Sequence, residues 1–224
     1  MKITWLGQAG LMFEKDGFRI MVDPYLSDSV KKVNPLNYRR VPVDEQFLKM
    51  RPDVLILTHN HIDHTDPETL PHYLEKFSDI TVLASENAWQ EARKYGHGHN
   101  YVMFNRHTEW SCCGMKFTAV KAEHSDTHAV GVIIDDGEKK YYITGDTLYN
   151  TDIFTDIPDD IYAMFVPVNG VGNNLNFEDA SRLAEKVNPV KAVPLHFGMF
   201  DELNPENFKY KNRVIPVIYK EINL

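Results

Sequence analysis

Cysteine is scarce in this sequence of 224 residues, where the only two, Cys112 and Cys113, are neighbours. A disulfide between adjacent residues would be strained, and a single pair is no disulfide framework, so we expect a protein of the reducing cytoplasm. No apolar run approaches the roughly 20 residues that span a bilayer. Residues 1–8 also lack the apolar core of a signal peptide. The sequence therefore predicts neither a membrane anchor nor export.

Basic residues are in deficit, because 24 lysines and arginines stand against 32 aspartates and glutamates, a net charge of −8. An acidic surface of this kind repels nucleic acids and anionic lipids, so we expect no nucleic-acid or membrane partner. The apolar share of 43% is ordinary for a globular protein, and a chain of this length commonly forms one unit. We therefore predict a single domain over residues 1–224.

Short apolar segments joined by turn residues predict β-hairpins, one around Asp16-Gly17 and another around residues 135–137. Single strands elsewhere alternate with helices, which cap, glycine and proline signals place at residues 65–77, 86–95 and 177–187. Residues 214–219 are predicted to form a closing edge strand, because Pro216 lacks a backbone donor. Hairpins mixed with strand–helix alternation favour an α/β fold of two mixed β-sheets with helices outside them.

The strongest candidate site is the segment Leu57-Thr58-His59-Asn60-His61-Ile62-Asp63-His64, which follows an apolar strand and precedes a helix. His59 and His61 are two residues apart, so in an extended chain both imidazoles point to the same side, ~7 Å apart at the backbone. Asp63 and His64 lie in the following turn, where the chain can aim both at the same place. Imidazoles bind borderline transition metals and a carboxylate suits a harder ion, so this segment predicts a metal site.

Three further candidates, His124, Asp146 and His196, follow predicted strands directly. Functional residues of open α/β sheets gather at the carboxyl ends of the strands. With the first segment these residues make five histidines and two aspartates, which is enough for two ions that share a carboxylate. The set contains no thiolate, and this argues against a purely structural zinc site.

At this point the sequence resembles the metallo-β-lactamase superfamily of hydrolases. The resemblance rests on His59-x-His61-x-Asp63-His64 followed by His124, Asp146 and His196 in that order, and it spans nearly the whole chain. Four segments resemble the branch that contains L-ascorbate-6-phosphate lactonase: Val22-Asp23-Pro24, Thr144-Gly145-Asp146-Thr147, Val168-Asn169-Gly170 and His196-Phe197-Gly198-Met199-Phe200. The resemblance implies an αββα four-layer sandwich with the metal site in a shallow cleft between the sheets.

The resemblance also implies how the ligands divide. One divalent ion would be held by His59, His61 and His124, and the other by Asp63, His64 and His196, with Asp146 between them. Asp23 would hydrogen-bond a ligand imidazole and fix its tautomer. Histidine and carboxylate ligands suit several divalent transition metals, and the lactonase-like branch favours manganese, with zinc as the other expected ion. The chain is shorter than the named lactonase, so the substrate and any homo-oligomer stay open.

Two divalent ions ~3.5–4 Å apart can hold a hydroxide that attacks a carbonyl or phosphoryl group near neutral pH. We interpret Asp63 as the residue that manages the proton in this reaction. His128, four residues after His124, is a second candidate acid or oxyanion stabiliser, although a lone histidine has a structural role about as often.

The candidates for substrate binding come from two other segments. Arg39 and Arg40 belong to the one basic stretch in an acidic protein, and a phosphate or carboxylate on the substrate would find its partners there. Asn169 and Asn174 lie just past a strand end and are candidates for lining the cleft.

Our first hypothesis is a metal-dependent hydrolase of a small anionic metabolite, with lactone ring opening as its reaction. The same ligands serve phosphodiesterases, so a cyclic nucleotide or a small phosphodiester is the alternative substrate, and thioester hydrolysis stays open. The alternative from another class is a non-catalytic metal-binding or regulatory protein. The presence of all seven candidate ligands argues against it.

Overall fold

The computed structural model describes all 224 residues, with twelve strands, four α-helices and three short 3-10 helices. The strands are β1 (Lys2–Gly7), β2 (Gly10–Lys15), β3 (Phe18–Val22), β4 (Val54–Leu57), β5 (Thr81–Ala84), β6 (Asn100–Met103), β7 (Glu109–Cys112), β8 (Met115–Lys121), β9 (Val130–Asp135), β10 (Lys140–Ile143), β11 (Ile161–Pro167) and β12 (Lys191–Leu195). The helices are α1 (Ser29–Val33), α2 (Thr69–Leu74), α3 (Glu86–Ala92) and α4 (Phe177–Val187). No helix combines the length and the apolar character that crossing a membrane requires.

The strands form two six-stranded sheets, with β1 to β6 in the first and β7 to β12 in the second. In the first sheet β1, β2 and β3 are antiparallel and the strands from β3 to β6 are parallel. In the second sheet the strands from β7 to β10 are antiparallel and those from β10 to β12 are parallel. The predicted hairpins join β2 to β3 and β9 to β10, so the prediction of two mixed sheets is confirmed.

Side chains that alternate along the strands explain how the layers stack. On β4, Val54 and Ile56 belong to the core between the sheets, whereas Leu55 and Leu57 pack in a second cluster with residues of α2 and α3. The two sheets meet directly at aromatic contacts such as that of Phe13 with Phe165, whose ring centroids are 5.8 Å apart. The α4 helix packs on β11 of the second sheet. The resulting order of helix, sheet, sheet and helix is the predicted αββα sandwich.

The helix predicted over residues 65–77 is shorter in the structure, where α2 begins at Thr69. The predicted cap residue, Thr65, instead donates its hydroxyl to the carbonyl oxygen of His59 at 2.8 Å. Asp66 occupies the turn before α2, and its carboxylate accepts the hydroxyl of Thr69. The capping prediction was therefore wrong because Thr65 stabilises the histidine segment and not the helix.

The strand predicted over residues 214–219 is not formed. This segment makes only single bridges through its flanking residues, Arg213 with Ala192 and Glu221 with Thr4. A turn ends it, since the amide of Lys220 donates to the carbonyl of Val217 at 3.0 Å and Tyr219 has a φ of +61°. Pro216 could not have donated to a ladder in any case.

The strand ends explain where the candidate residues meet. Asp23 follows β3, the histidine segment follows β4, Asp146 follows β10 and His196 follows β12. Carboxyl ends of parallel strands lie at one edge of a sheet, and backbone hydrogen bonds join the two edges here. The amide of Val130 donates to the carbonyl of Thr58 at 3.0 Å, and that of His196 donates to the carbonyl of Gln8 at the same distance. The fold therefore brings both sets of strand ends to one place.

Candidate metal centre

Three imidazoles form the first half of the centre. One ring nitrogen from each of His59, His61 and His124 lies within 4.8 Å of the others. The Nδ1 atom of His61 is 3.1 Å from the Nε2 atom of His124. The other ring nitrogen of His124, Nδ1, lies 3.1 Å from the carbonyl oxygen of Asn173, which accepts its hydrogen and leaves Nε2 free. These three residues could hold one ion.

The second half contains a carboxylate and two imidazoles, those of Asp63, His64 and His196. The Oδ2 atom of Asp63 is 3.3 Å from the Nε2 atom of His196 and 3.9 Å from that of His64. The turn after β4 places Asp63 and His64 in this group, whereas His59 and His61 belong to the first group. The structure also groups Asp23 with His59 and His64, so the two halves adjoin, and the division of the ligands between two ions stays a prediction.

Asp146 stands beside the second group. Its Oδ2 atom lies 3.3 Å from the Nε2 atom of His64 and 3.4 Å from that of His196. The preceding Gly145 has a φ of +62°, and a Cβ atom there would lie 2.7 Å from the carbonyl oxygen of Val130. Only glycine fits this turn, and the turn directs the Asp146 carboxylate into the cluster.

Four buried atoms of the centre indicate that an ion fits these residues. The Nε2 atoms of His59, His64 and His196 and the Oδ1 atom of Asp146 are buried and have no hydrogen-bond partner. Buried polar atoms without a partner are costly, and four of them in one cluster require an explanation. Nitrogen and oxygen donors of these types are ligands of divalent transition metals, so the residues present fit such an ion.

Asp23 fixes the tautomers of two imidazoles. Its Oδ2 atom lies 2.8 Å from the Nδ1 atom of His64, and it also accepts the hydroxyl of Thr58 at 2.5 Å. The hydroxyl oxygen of Thr58, having given its hydrogen to Asp23, can accept the Nδ1 hydrogen of His59 at 3.0 Å. Nε2 is therefore the nitrogen that each of these imidazoles directs at the cluster, and it binds a metal once it carries no proton.

The charges of the second group are strongly coupled in the ion-free protein. Burial disfavours the charged form of His196, but Asp146 and Asp63 outweigh burial and raise its pKa to about 10. Burial likewise opposes the charge of His64, whose pKa is nevertheless raised well above its usual value by Asp146 and by two further carboxylates. Burial together with the His64 charge holds the pKa of His59 well below its usual value. An ion at the second group must therefore displace protons from imidazoles.

Gln8 contacts this group although nothing in our sequence reasoning selected it. It follows β1 directly, is buried, and has a φ of +48°. Its Nε2 atom donates to Asp63 Oδ2 at 3.0 Å and lies 3.3 Å from His196 Nδ1. Its carbonyl accepts the indole hydrogen of Trp5 at 2.9 Å. The signal that could have identified it is its place at the end of a strand, the rule that selected His124, Asp146 and His196.

We expect the substitution Gln8→Ala to weaken one of two ions selectively. The amide positions two candidate ligands of the second group and touches none of the first, and partners of this kind contribute roughly 10- to 100-fold to metal affinity. Calorimetric titration with Zn²⁺ should show one site weakened by that factor and the other unchanged. Gln90→Ala, an exposed glutamine on α3, is the matched control. Equal weakening of both sites, or of neither, would contradict this role.

The arginines do not reach the cleft. The Arg39 guanidinium is occupied by three acceptors of the protein, the carbonyl of Tyr25 at 2.8 Å, the hydroxyl of Tyr219 at 2.7 Å and the carbonyl of Val41 at 3.1 Å. Arg40 donates to the carbonyl of Phe200 and lies 3.8 Å from the Glu202 carboxylate. The structure therefore corrects the expectation that these two arginines bind the substrate, because protein groups already hold them.

The two asparagines have different surroundings. The Nδ2 atom of Asn174 donates to Asp146 Oδ2 at 2.6 Å, and its Oδ1 accepts the amide of Thr147 at 2.9 Å, so Asn174 orients a candidate ligand. Asn169 lines the cleft next to the cluster, and its Oδ1 atom has no partner in the protein. Asn169 is therefore the one of the two that offers its carboxamide to a bound molecule.

His128 lies apart from the cluster. Its Nε2 atom is 3.4 Å from the Glu86 carboxylate, and the imidazole lines a different cavity together with residues such as Arg106 and Lys121. The backbone amide of His128 donates to Asp126 at 3.0 Å. The expectation of a catalytic acid at this position is corrected accordingly, because the side chain faces Glu86 and not the candidate ligands.

A cavity of about 270 Å³ opens onto the cluster and is lined by four candidate ligands, His61, Asp63, Asp146 and His196. The Asp63 side chain is 17% exposed, against 6% for Asp146. A small molecule in this cavity can therefore reach the second group and the edge of the first.

Comparison with known proteins places this geometry in a family. The beta-lactamase superfamily domain matches residues 18–197. A UPF0173 metal-dependent hydrolase of Aeropyrum pernix is 27% identical over 227 residues, which cover 93% of this chain and 88% of that protein.

Two solved structures share the fold. Igni18, a metallo hydrolase from Ignicoccus hospitalis, has a TM-score of 0.77 at 19% identity, with 98% of this chain and 96% of that chain covered. An isothiocyanate hydrolase from Delia radicum gut bacteria has a TM-score of 0.75 at 18% identity, with 100% and 99% covered. The family match spans most of the sequence and includes all seven candidate ligands, and the chain therefore belongs to the beta-lactamase superfamily.

Proposed function

We propose that this metal-dependent hydrolase opens the ring of a small lactone. The observation that carries the proposal is the pair of ligand groups at one cavity, with Asp146 directed into the cluster and four donor atoms buried without partners. Divalent ions held by these residues would act as Lewis acids on the carbonyl oxygen and on the attacking water. Manganese is our first choice of ion and zinc our second, since the ligands are imidazoles and carboxylates without sulfur.

Residues of the chain supply the other requirements of ring opening. Water adds to the carbonyl carbon, the ring C–O bond breaks, and a proton of the water must end on the ring oxygen. Asp63 is the most exposed carboxylate of the cluster and lines the cavity, so its oxygen atoms are open to a bound molecule. It can therefore accept that proton and return it to the ring oxygen.

Asn169 is placed to act on the carbonyl oxygen. It lines the cavity beside the ligands, and its Oδ1 atom has no hydrogen-bond donor in the protein. An amide hydrogen directed at the oxygen that gains negative charge stabilises the transition state more than the substrate. The resemblance of Val168-Asn169-Gly170 and of the other quoted segments to the lactonase-like branch supports the same reaction.

Isothiocyanate hydrolysis is the second candidate. The observation that favours it is the apolar wall of the cavity, formed by side chains such as Ile62 and Phe200 beside the ligands. One protein of the same fold is named an isothiocyanate hydrolase. The reaction would use the same water and the same proton acceptor.

A substrate panel tests the proposal. Protein loaded with Mn²⁺, and in parallel with Zn²⁺, is assayed on a δ-lactone, an aryl isothiocyanate and bis(p-nitrophenyl) phosphate. We expect lactone hydrolysis that disappears with EDTA and in His61→Ala. His72→Ala, which changes a histidine on α2 remote from the cluster, should keep full activity. Turnover of the phosphodiester alone would overturn lactone opening and leave phosphodiester hydrolysis in its place.

A further inference from the structure

The cavity wall beyond the candidate ligands is uncharged. Four apolar side chains form most of it, those of Val30, Ile62, Val171 and Phe200. The polar side chains among them are three carboxamides, those of Asn37, Asn169 and Asn174, and the amide of Asn174 already donates to Asp146. A wall of this composition binds apolar groups by contact and neutral polar groups by hydrogen bonds.

The segment that contributes Val30 and Asn37 to the cavity carries four basic side chains, and each lies beside a carboxylate or another acceptor. Lys32 pairs with Glu68 at 2.7 Å, and Lys31 lies 3.9 Å from Asp28. Arg39 and Arg40 are occupied by the acceptors described above. None of these four residues lines the cavity.

The charged side chains that do line the cavity are candidate ligands. None of them offers a cation to the far part of a substrate, because Asp63 and Asp146 are carboxylates and His61 and His196 belong to the ligand groups. A phosphate or carboxylate on the part of a substrate that lies away from the ions would lose part of its water against Val30, Ile62 and Phe200 without gaining a cation. Desolvation of an unpaired charge is unfavourable, so such substrates should be bound less well.

We propose that the enzyme selects substrates whose non-reacting part is uncharged and at least partly apolar, with neutral hydrogen-bonding groups that meet Asn37 and Asn169. This inference rests on the proposed hydrolysis of a carbonyl substrate and specifies its class. It replaces the anionic substrate that the basic segment had led us to expect.

A matched pair of substrates tests the selection. Both are δ-lactones with the same aliphatic side chain, which ends in a methyl group in one and in a carboxylate in the other. Steady-state kinetics of the ion-loaded enzyme should give a kcat/KM for the neutral lactone that is roughly ten-fold or more above that of its anionic partner. The neutral lactone should also be the more sensitive of the two to Ile62→Ala.

One variant adds the missing cation to the wall. Val171 lines the cavity and is 65% exposed, so Val171→Lys can fold without burying a charge. It should raise the kcat/KM for the anionic lactone relative to the neutral one by roughly ten-fold. The reason is that the new lysine can form one close ion pair with the substrate carboxylate in a partly desolvated site. Val33→Lys is the matched control, because Val33 is 74% exposed on α1 and does not line the cavity. It should leave the ratio at the wild-type value.

The outcomes separate the two proposals. If neither lactone is hydrolysed, the proposed function fails. If both are hydrolysed and the anionic one is equal or preferred, lactone opening stands and the selection of uncharged substrates is overturned. An unchanged ratio in Val171→Lys would also count against the cavity as the place where the side chain of the substrate lies.

Discussion

Asparagine in place of Asp146 should lower the kcat/KM of the ion-loaded enzyme by about 10³-fold, a loss of about 4 kcal/mol of transition-state stabilisation. The substitution keeps the size of the side chain and its hydrogen bond with Asn174, and it removes only the charge. One oxygen of Asp146 lies within 3.4 Å of ring nitrogens of both His64 and His196, and the other is buried without a partner. A neutral amide at this place binds an ion far more weakly.

Metal analysis and kinetics on the same preparation check this prediction. Asp146→Asn should retain fewer bound ions after dialysis and show the loss in kcat. Asp156→Asn is the matched control, since the Asp156 side chain is also 6% exposed and is paired with Arg106 outside the cluster. It should cost some stability and leave the ion content unchanged. An Asp146→Asn variant with full ion content and near-normal kcat would exclude Asp146 from the centre.

The spacing of the histidine segment and the rule of strand ends together selected seven residues whose side chains lie close together in the structure. The segment needed only local geometry, because a two-residue repeat on an extended chain and a turn leave few directions for His59, His61 and Asp63. His124, Asp146 and His196 were selected by the general rule that functional residues of open α/β sheets gather at the carboxyl ends of the strands. That the strand ends of the two sheets meet follows only from the structure.

Contacts between distant segments could not be predicted from the sequence. Arg39 looked like a substrate ligand because its partners, a tyrosine 180 residues away and two carbonyl groups, leave no local pattern. Thr65 has the local pattern of a helix cap, but in the structure its hydroxyl donates to the carbonyl of His59. Gln8 makes its contacts from a left-handed backbone conformation that no periodicity indicates. In each case a tertiary partner outweighed a local preference.

Adding a divalent ion to the ion-free protein should raise its melting temperature by about 5–10 °C. An ion that binds only the folded chain at 100 times its dissociation constant adds about 2.7 kcal/mol to the free energy of unfolding. For a chain of this size each kcal/mol corresponds to about 2–4 °C. The buried nitrogen and oxygen atoms without partners are the reason to expect the ion to bind only the folded form.

The increment should also grow with pH, because an ion at His196 must displace a proton. The pKa of this imidazole is about 10 in the ion-free fold and about 6.5 when the chain is unfolded. The stability that its charge contributes is therefore complete below about pH 6.5 and is lost as the pH rises toward 10. The competing proton becomes easier to remove over the same range, so ion binding tightens while the ion-free protein loses stability. Both effects increase the difference in melting temperature between the ion-bound and the ion-free protein as the pH rises from about 6.5 to about 8.

Scanning calorimetry at these two pH values, with and without Zn²⁺, measures the difference directly. His196→Ala should lose most of the increment and its growth with pH. His107→Ala should keep both, since His107 is exposed and pairs with Asp156 outside the cluster. An increment that survives in His196→Ala and does not change with pH would mean that the stabilising ion binds elsewhere on the protein. Titration in two buffers of different ionisation enthalpy adds an independent reading, because about two protons, one each from His64 and His196, should be released for each ion that binds at the second group.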